Sequence, residues 1–387
     1  MYTIKTMNHI SPVGLLRLPA EQFSVDAKCE RPDAILVRSA DLHEMPLNSE
    51  LLCIARAGAG VNTIPIERCS QNGVVVFNTP GANANAVKEL VVCSLLLASR
   101  DIYGGIDWAR KLTGDDIEEQ VEKGKSSFVG PEIAGKTLGI IGVGAIGVGV
   151  ANAAHALGME VLGYDPYMTV SAALELSRRV RLARDISQVF AESDYLTLHV
   201  PLNSETKADL ADMLNHVKVG VRIINLARGG LLDGGALLAA LDNGTVSCYV
   251  TDFPDKAIAN HPNVIPIPHL GSSTPESEDN CARMAVDQTS DYLRYGNIKN
   301  SVNFPNVELP PIKGIRLCVI HDNIPNMIGE VSTAMAESGI NIENMMSKSK
   351  GELAYTILDL SGGTPGGAVV ERLKTHKHIT RVRVLKA

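Results

Sequence analysis

The chain lacks any apolar run long enough to cross a membrane. Its most hydrophobic stretch, LVVCSLLLA at 90–98, falls far short of the ~20 residues a spanning helix needs. The N-terminal MYTIKTMNHI is too interrupted by polar residues to form the apolar centre of a secretion signal, so a cytoplasmic location is expected. Cysteine pairs are missing too. The seven cysteines (Cys29, Cys53, Cys69, Cys93, Cys248, Cys281 and Cys318) are scattered, odd in number and without a CxxC. That excludes a disulfide framework or zinc site as the organising feature and points to buried reduced thiols; no metal is expected. Positive charge is scarce: 36 Lys and Arg against 43 Asp and Glu give a formal net charge of −7. Neither nucleic acid nor a membrane is therefore expected as a partner, and an anionic substrate would need locally placed arginines.

What is present fits a soluble metabolic enzyme. A length of 387 residues suggests two or three domains, and 45% hydrophobic content is ample for packed cores. Residues 138–147, LGIIGVGAIG, set a short apolar β-run against Gly142-x-Gly144-x-x-Gly147, and Asp165 closes the next apolar run, EVLGYD. The first glycine permits a tight strand-to-helix turn, the second lets a pyrophosphate approach the backbone, and the third lets helix and strand pack closely. Helix N-terminal amides then face the phosphates. Asp165 stands at the distance expected of the carboxylate that accepts hydrogen bonds from the adenosine ribose, which favours NAD over NADP. A bare glycine-rich turn is the alternative, and it leaves the distal acid unexplained.

Strand-like runs alternate with helix-length amphipathic segments, the mark of βα units around a mainly parallel sheet. AILVRS (34–39), LLCIARAG (51–58) and VVVFN (74–78) read as strands, followed by a long helix from about Asn83 to Arg100. After the glycine fingerprint come YLTLHV (195–200), VRIINL (221–226), VSCYVTD (246–252) and NVIPIPHL (263–270). Their ends carry His199, Asn225 and Arg228, Asp252, and His269, which should converge where an open α/β sheet binds its ligand. The proline-rich stretch NFPNVELPPIKG (303–314), with the linker proper at 306–314, introduces a small βαββαβ unit over 315–387.

NLARGG (225–230) and PHLGSST (268–274) carry the candidate chemistry. Arg228 offers a permanently charged fork able to hold a carboxylate and polarise a neighbouring oxygen. His269 is the natural proton acceptor when a secondary alcohol loses hydride to a nicotinamide. The bland readings are a surface or capping arginine and a hydrogen-bonded loop histidine. For His199 a structural or cofactor-lining role outranks catalysis.

These motifs, with RAGAGVNTIP and FNTPGANANAVKEL, resemble the D-2-hydroxyacid dehydrogenase family over nearly the whole chain. The resemblance implies an α/β fold of two Rossmann- or flavodoxin-like doubly wound domains plus a C-terminal ACT-like βαββαβ domain. Residues 1–95 and 275–305 would form a discontinuous substrate domain, hinged to an NAD-binding domain at 96–274. It implies that Gly142, Gly144, Ala145, Ile146, Gly147, Asp165, Val200, Ala227, Asp252 and Gly271 hold NAD. Arg38 and Arg56 would grip a substrate phosphate, with Gly58, Ala59 and Gly60 giving amides to its carboxylate. The implied reaction is oxidation of 3-phospho-D-glycerate to 3-phosphohydroxypyruvate on the route to serine, with Arg228 and His269 catalytic. HDNIPNMIG and SGINIEN resemble amino-acid-binding ACT segments. They imply that His321, Asn323 and Asn341 meet an L-serine effector at a domain pair, in a homo-oligomer. A dehydrogenase for another D-2-hydroxy acid such as glycerate or lactate, and a non-catalytic NAD- or amino-acid-sensing protein, are the alternatives.

Three departures from the family pattern stand out. The glutamate that usually orients the histidine is missing from TDFPDKAIAN, where Asp255 is the nearest carboxylate. Asn326 replaces a glycine in the ACT-like motif, and Ala145 replaces an arginine often found inside the fingerprint.

Overall fold

A computed structural model describes residues 1–361 and 363–386. They divide into two compact units, one formed by Met1–Asn83 with Glu278–Ala387 and the other by Ala84–Ser277.

The first unit carries a five-stranded parallel sheet of β1 (Tyr2–Met7), β2 (Phe23–Val25), β3 (Ala34–Val37), β4 (Cys53–Arg56) and β5 (Val75–Phe77), in the order β2-β1-β3-β4-β5. This is the flavodoxin-like winding. Alternation sends Ala34, Leu36, Cys53 and Ala55 into one core and Ile35, Val37 and Ile54 into another. Both faces are covered, so these strands read as continuous apolar runs.

The second unit has a seven-stranded parallel sheet: β6 (Thr137–Ile141), β7 (Glu160–Tyr164), β8 (Arg181–Leu182), β9 (Tyr195–Leu198), β10 (Val221–Asn225), β11 (Val246–Thr251) and β12 (Val264–Pro266). The order β12-β11-β10-β9-β6-β7-β8 is that of a Rossmann sheet with one further strand, and the direction of winding switches between β6 and β9. The helix Ala84–Ser99 lies wholly in this unit, although the family likeness would divide it at residue 95. Val87, Val91, Leu95 and Ala98 enter the same core as Leu138 and Ile140. Two bonds fix it: Arg222 Nε donates to Ala98 O at 2.8 Å, and the Ser99 and Tyr195 hydroxyls lie 2.8 Å apart.

The C-terminal segment forms an antiparallel sheet of β13 (Ile315–Asp322), β14 (Asn341–Lys350), β15 (Leu353–Ser361) and β16 (Ile379–Lys386), ordered β14-β15-β13-β16. Leu317, Val319 and Leu358 pack beneath the helices Met327–Glu337 and Gly367–Lys374 through Val331, Met335 and Leu373. The opposite face of the sheet is not free. Cys318, Ile320, Tyr355 and Ile357 share one core with Tyr292 and Leu293 of the 21-residue helix Pro275–Tyr295.

That helix ends against two cations, Arg316 buried and Arg383 half-buried. Arg383 donates to Tyr292 O (3.1 Å) and Leu293 O (2.8 Å) with its guanidinium over the Tyr292 ring, while Arg316 donates to Tyr295 O (2.8 Å) and Pro310 O (2.7 Å). The Tyr355 hydroxyl donates to Gly296 O at 2.7 Å. A helix leaves its last carbonyls without partners and its C-terminus partially negative, so arginines satisfy both needs. Arg316 is itself neutralised by Asp359 at 2.7 Å.

Five of the seven cysteines are buried, Cys29 is half-buried and Cys93 is exposed; all are free thiols. Cys93 departs from the expected burial because it lies on the outer side of the helix Ala84–Ser99. Among the described residues no helix is long and apolar enough to cross a membrane, and no group of three metal-ligating side chains is assembled.

Candidate active site

The glycine fingerprint lies at the end of β6, on the switch point. Gly142 has φ +94°, and a Cβ there would come within 2.6 Å of His199 O. A Cβ on Gly147 would lie 2.1 Å from Gly142 O, so the helix Ala145–Ala156 sits directly on the turn. Gly144 differs from both: a Cβ on it would meet nothing within 4 Å. Two glycines are thus demanded by packing, and the third keeps space clear in front of the helix N-terminus. Gly144 caps that helix without a side-chain hydrogen bond, leaving first-turn amides, among them those beside Ala145 and Ile146, for an anion. These residues fit the pyrophosphate of a dinucleotide.

Asp165 follows β7. Its Oδ2 accepts from Val143 N (2.9 Å) and its Oδ1 from Tyr167 N (2.8 Å), which pins the glycine turn to the neighbouring strand. Asp165, Val200 and the two glycines Gly142 and Gly144 line a cavity of about 280 Å³. His199 lines it too, with Nε2 3.1 Å from Thr197 Oγ1, and burial pushes its pKa down to about 4. It is therefore neutral at physiological pH. The same cavity is lined by Tyr167, Asn203, Glu205 and Asp209, which the sequence reading did not single out. The capping box Asn203-x-x-Thr206 was a legible sign of the helix Ser204–Leu210, but which side of it faces the cavity depends on the fold.

The chemistry-bearing side chains follow β10, β11 and β12. Buried Asn225 organises the first loop: its Nδ2 donates to Arg228 O (2.9 Å) and Tyr249 Oη (3.1 Å), and its Oδ1 accepts from Ala227 N (3.2 Å). Arg228 is exposed, with Nη1 donating to Ala227 O at 2.7 Å. His269 is also exposed, its ring centroid 4.6 Å from that of Phe253. Asp252, in the electrostatic neighbourhood of both, is only 3% exposed. Burial raises its pKa, against the nearby positive charges of His269 and Arg228. A Cβ on Gly271 would lie 3.5 Å from Asp252 Oδ2, so the backbone after His269 passes close to this acid. Asp255 is placed differently from the sequence expectation. Its Oδ1 accepts from Ala257 N (2.8 Å) and Ile258 N (3.2 Å), capping its own turn. The carboxylate in the electrostatic neighbourhood of His269 is Asp252.

The comparisons agree with this geometry. Residues 94–271 match the family model for the D-isomer specific 2-hydroxyacid dehydrogenase NAD binding domain. The chain is 31% identical over 345 residues to a D-3-phosphoglycerate dehydrogenase of Methanocaldococcus jannaschii, covering 86% of this chain and 62% of that one. It is 32% identical over 339 residues to D-3-phosphoglycerate dehydrogenase 1 of Saccharomyces cerevisiae, covering 80% of this chain and 68% of the relative. The chain belongs to the D-2-hydroxyacid dehydrogenase family. A solved relative, the NAD+-bound 3-phosphoglycerate dehydrogenase of Entamoeba histolytica, superposes with a TM-score of 0.59 at 25% identity, over 78% of this chain and 98% of that one. The chain spans less than two thirds of the Methanocaldococcus relative.

For a dehydrogenase of this family, the arginines of the first unit are the other point of interest. Arg56 ends β4, and its Nε donates to Arg38 O at 2.9 Å. Arg38 follows β3 and pairs through Nη2 with Glu278 Oε1 at 2.8 Å. A Cβ on Gly58 would strike Arg56 Nη1 at 2.6 Å, so glycine is what lets the guanidinium fold over this turn. Gly58 N donates to Arg56 O (2.9 Å), which leaves that amide engaged, and Asn78 Nδ2 holds Ala59 O at 2.6 Å beside Gly60.

In the C-terminal segment, His321 and Asn323 line one cavity of about 270 Å³ together with Asn326 and Ser347. His321 is buried and bonded on both nitrogens, to Asp322 O and Thr356 Oγ1, each at 2.8 Å, and burial lowers its pKa. Asn326 adopts φ +71°, the left-handed conformation that asparagine tolerates best after glycine. Asn341 pairs with Ser361, at the opposite end of the sheet from His321 and Ala354 within this chain.

Proposed function

We propose that this chain is an NAD-dependent dehydrogenase that oxidises 3-phospho-D-glycerate to 3-phosphohydroxypyruvate, the entry to the phosphorylated route to L-serine, in the cytoplasm. The observation that carries the reading is the grouping of Arg228 and His269 around buried Asp252, beyond strand ends of a sheet that also holds the dinucleotide cradle.

Bound NAD would supply the hydride acceptor. Arg228 would hold the substrate carboxylate and the C2 oxygen through its planar fork. As hydride leaves C2, the C2 hydroxyl proton passes to a ring nitrogen of His269. The buried charge of Asp252 favours the imidazolium so formed, taking the part of the missing glutamate. Ala227 and Gly271, which flank these side chains, and Val200 are assigned to cofactor contact. Arg38 and Arg56 would bind the phosphate, with the Gly58–Ala59–Gly60 turn beside them. Homology to enzymes named for 3-phosphoglycerate supports that choice.

The C-terminal domain is proposed as an ACT-type module taking L-serine at His321 and Asn323, with Asn341 contributed across a pair of chains in a homo-oligomer. Its βαββαβ order and its cavity support this reading.

A dehydrogenase for an unphosphorylated D-2-hydroxy acid is the second reading, favoured by the partial neutralisation of Arg38 by Glu278. NADH formation with 3-phospho-D-glycerate and with D-glycerate separates the two, and equal efficiency with both would remove the phosphate assignment. Repeating the assay with L-serine tests the effector, and an Arg228→Ala variant with undiminished turnover would leave only a non-catalytic sensor.

A further inference from the structure

The cavity beside the glycine turn carries a charge pattern that Asp165 alone does not account for. Three carboxylates line it: Asp165, Glu205 and Asp209. No lysine or arginine is among its lining residues, and its histidine, His199, is held neutral by burial. Asp165 is held in place by the two backbone amides it accepts from. Glu205 is held as well, since the Tyr167 hydroxyl donates to its Oε1 at 2.5 Å and so ties the loop after β7 to the first turn of the helix Ser204–Leu210. The hydrogen bond and charge of Glu205 come first among the causes that raise the pKa of that tyrosine, followed by burial and then by Asp209. Glu205 and Asp209 are four residues apart on one short helix, a like-charge spacing that weakens a helix. Neither makes an ion pair among the described residues; the helix dipole favours Glu205 in the first turn but disfavours Asp209 near the last.

We propose that Glu205 and Asp209 are specificity residues for the cofactor, forming with Asp165 an anionic wall that admits an adenosine ribose with a free 2′-hydroxyl and rejects a 2′-phosphate. Tyr167 is the positioning residue that keeps Glu205 at the wall. A ribose diol donates hydrogen bonds to carboxylates; a phosphate dianion can only accept them, and here it would face three anions without a counter-cation. Two of the three carboxylates lie outside the β7 position, so changing Asp165 alone would leave most of the barrier standing. The inference rests on the dinucleotide site and is independent of the substrate.

The test is binding of NADH and NADPH to the full chain, followed by fluorescence titration without substrate. The unaltered protein is expected to prefer NADH by at least about thirtyfold. The isosteric pair Glu205→Gln with Asp209→Asn should shrink that ratio at least about tenfold, chiefly by tightening NADPH, while an unchanged melting temperature reports an intact fold. Tyr167→Phe should shrink it about two- to threefold, because the released carboxylate is still nearby. A ratio that the paired variant leaves within twofold, or equal binding of both cofactors by the unaltered protein, would overturn the proposal. If 3-phospho-D-glycerate is not oxidised but the ratio responds, only the substrate reading fails.

Discussion

Arg38 Nη2 and Glu278 Oε1 meet at 2.8 Å, with each side chain about one third exposed (30% and 35%). A partly exposed ion pair contributes about 0–1 kcal/mol to stability, so the effect of Glu278 on charge outweighs its effect on folding. Within the proposed reading, a substrate phosphate competes with this carboxylate for the guanidinium. Glu278→Gln is expected to lower KM for 3-phospho-D-glycerate several-fold, leave KM for D-glycerate within twofold, and barely move the melting temperature. Steady-state kinetics on both acids check it, and an increased KM for the phosphorylated acid would show that Glu278 helps to present Arg38.

Asp252 should matter more than Asp255. Burial raises the pKa of Asp252, so replacing it by Asn should remove the contribution that its titration makes to the acid limb of the kcat/KM profile. A loss of about tenfold or more in kcat/KM is expected. Asp255→Asn, which disturbs only a turn cap, is expected to cost less than about threefold and to leave the profile in place. Parallel pH–rate profiles decide between the two carboxylates.

The fingerprint glycines should separate binding from folding. Gly147→Ala forces a Cβ to within 2.1 Å of Gly142 O, so a marked drop in melting temperature is expected. Gly144→Ala meets nothing within 4 Å, so the fold should hold while NADH affinity falls. Thermal melts with and without NADH would read both effects. A Gly144→Ala protein that binds NADH normally would displace the pyrophosphate from this turn.

His199 provides a pH signature. Burial puts its folded pKa at about 4, against 6.5 for the free side chain. Between those values the unfolded chain binds the proton and the folded chain does not. Stability is therefore fully present above pH 6.5 and is lost as pH falls toward 4, by up to about 3 kcal/mol from this group. His199→Gln should show a shallower loss of melting temperature between pH 7 and pH 5 than the parent, and an unchanged slope would mean that the imidazole is not buried as a neutral group.

The cofactor cradle was legible because its information is local: three glycines within six residues and one acid at the next strand end. The ends of β10, β11 and β12 were legible for the same reason. β1 was overlooked because YTIKTM alternates weakly, and β8 because two residues carry no periodicity. The helices Ile102–Ala109 and Ile117–Gly124 bury no residue, and the first carries the paired Gly104 and Gly105, poor helix formers. Glu205, Asp209 and the placement of Asp252 beside His269 depend on contacts between distant segments that no spacing reveals. One signal was present and unread. LCVI in β13 is a continuous apolar run, the pattern of a strand covered on both faces.

The arginines gathered at the end of the helix Pro275–Tyr295 give the C-terminal sheet a mechanical role. Cutting the chain at 313 would strip the cap from four carbonyls and bare the apolar side that Tyr292 and Leu293 share with Ile357, so the remainder should precipitate rather than work as a trimmed enzyme. Glu278 lies in the first turn of that same helix and Arg383 grips its last, about 20 Å of helix apart. The sheet and the Arg38 guanidinium are thus joined through one continuous helix.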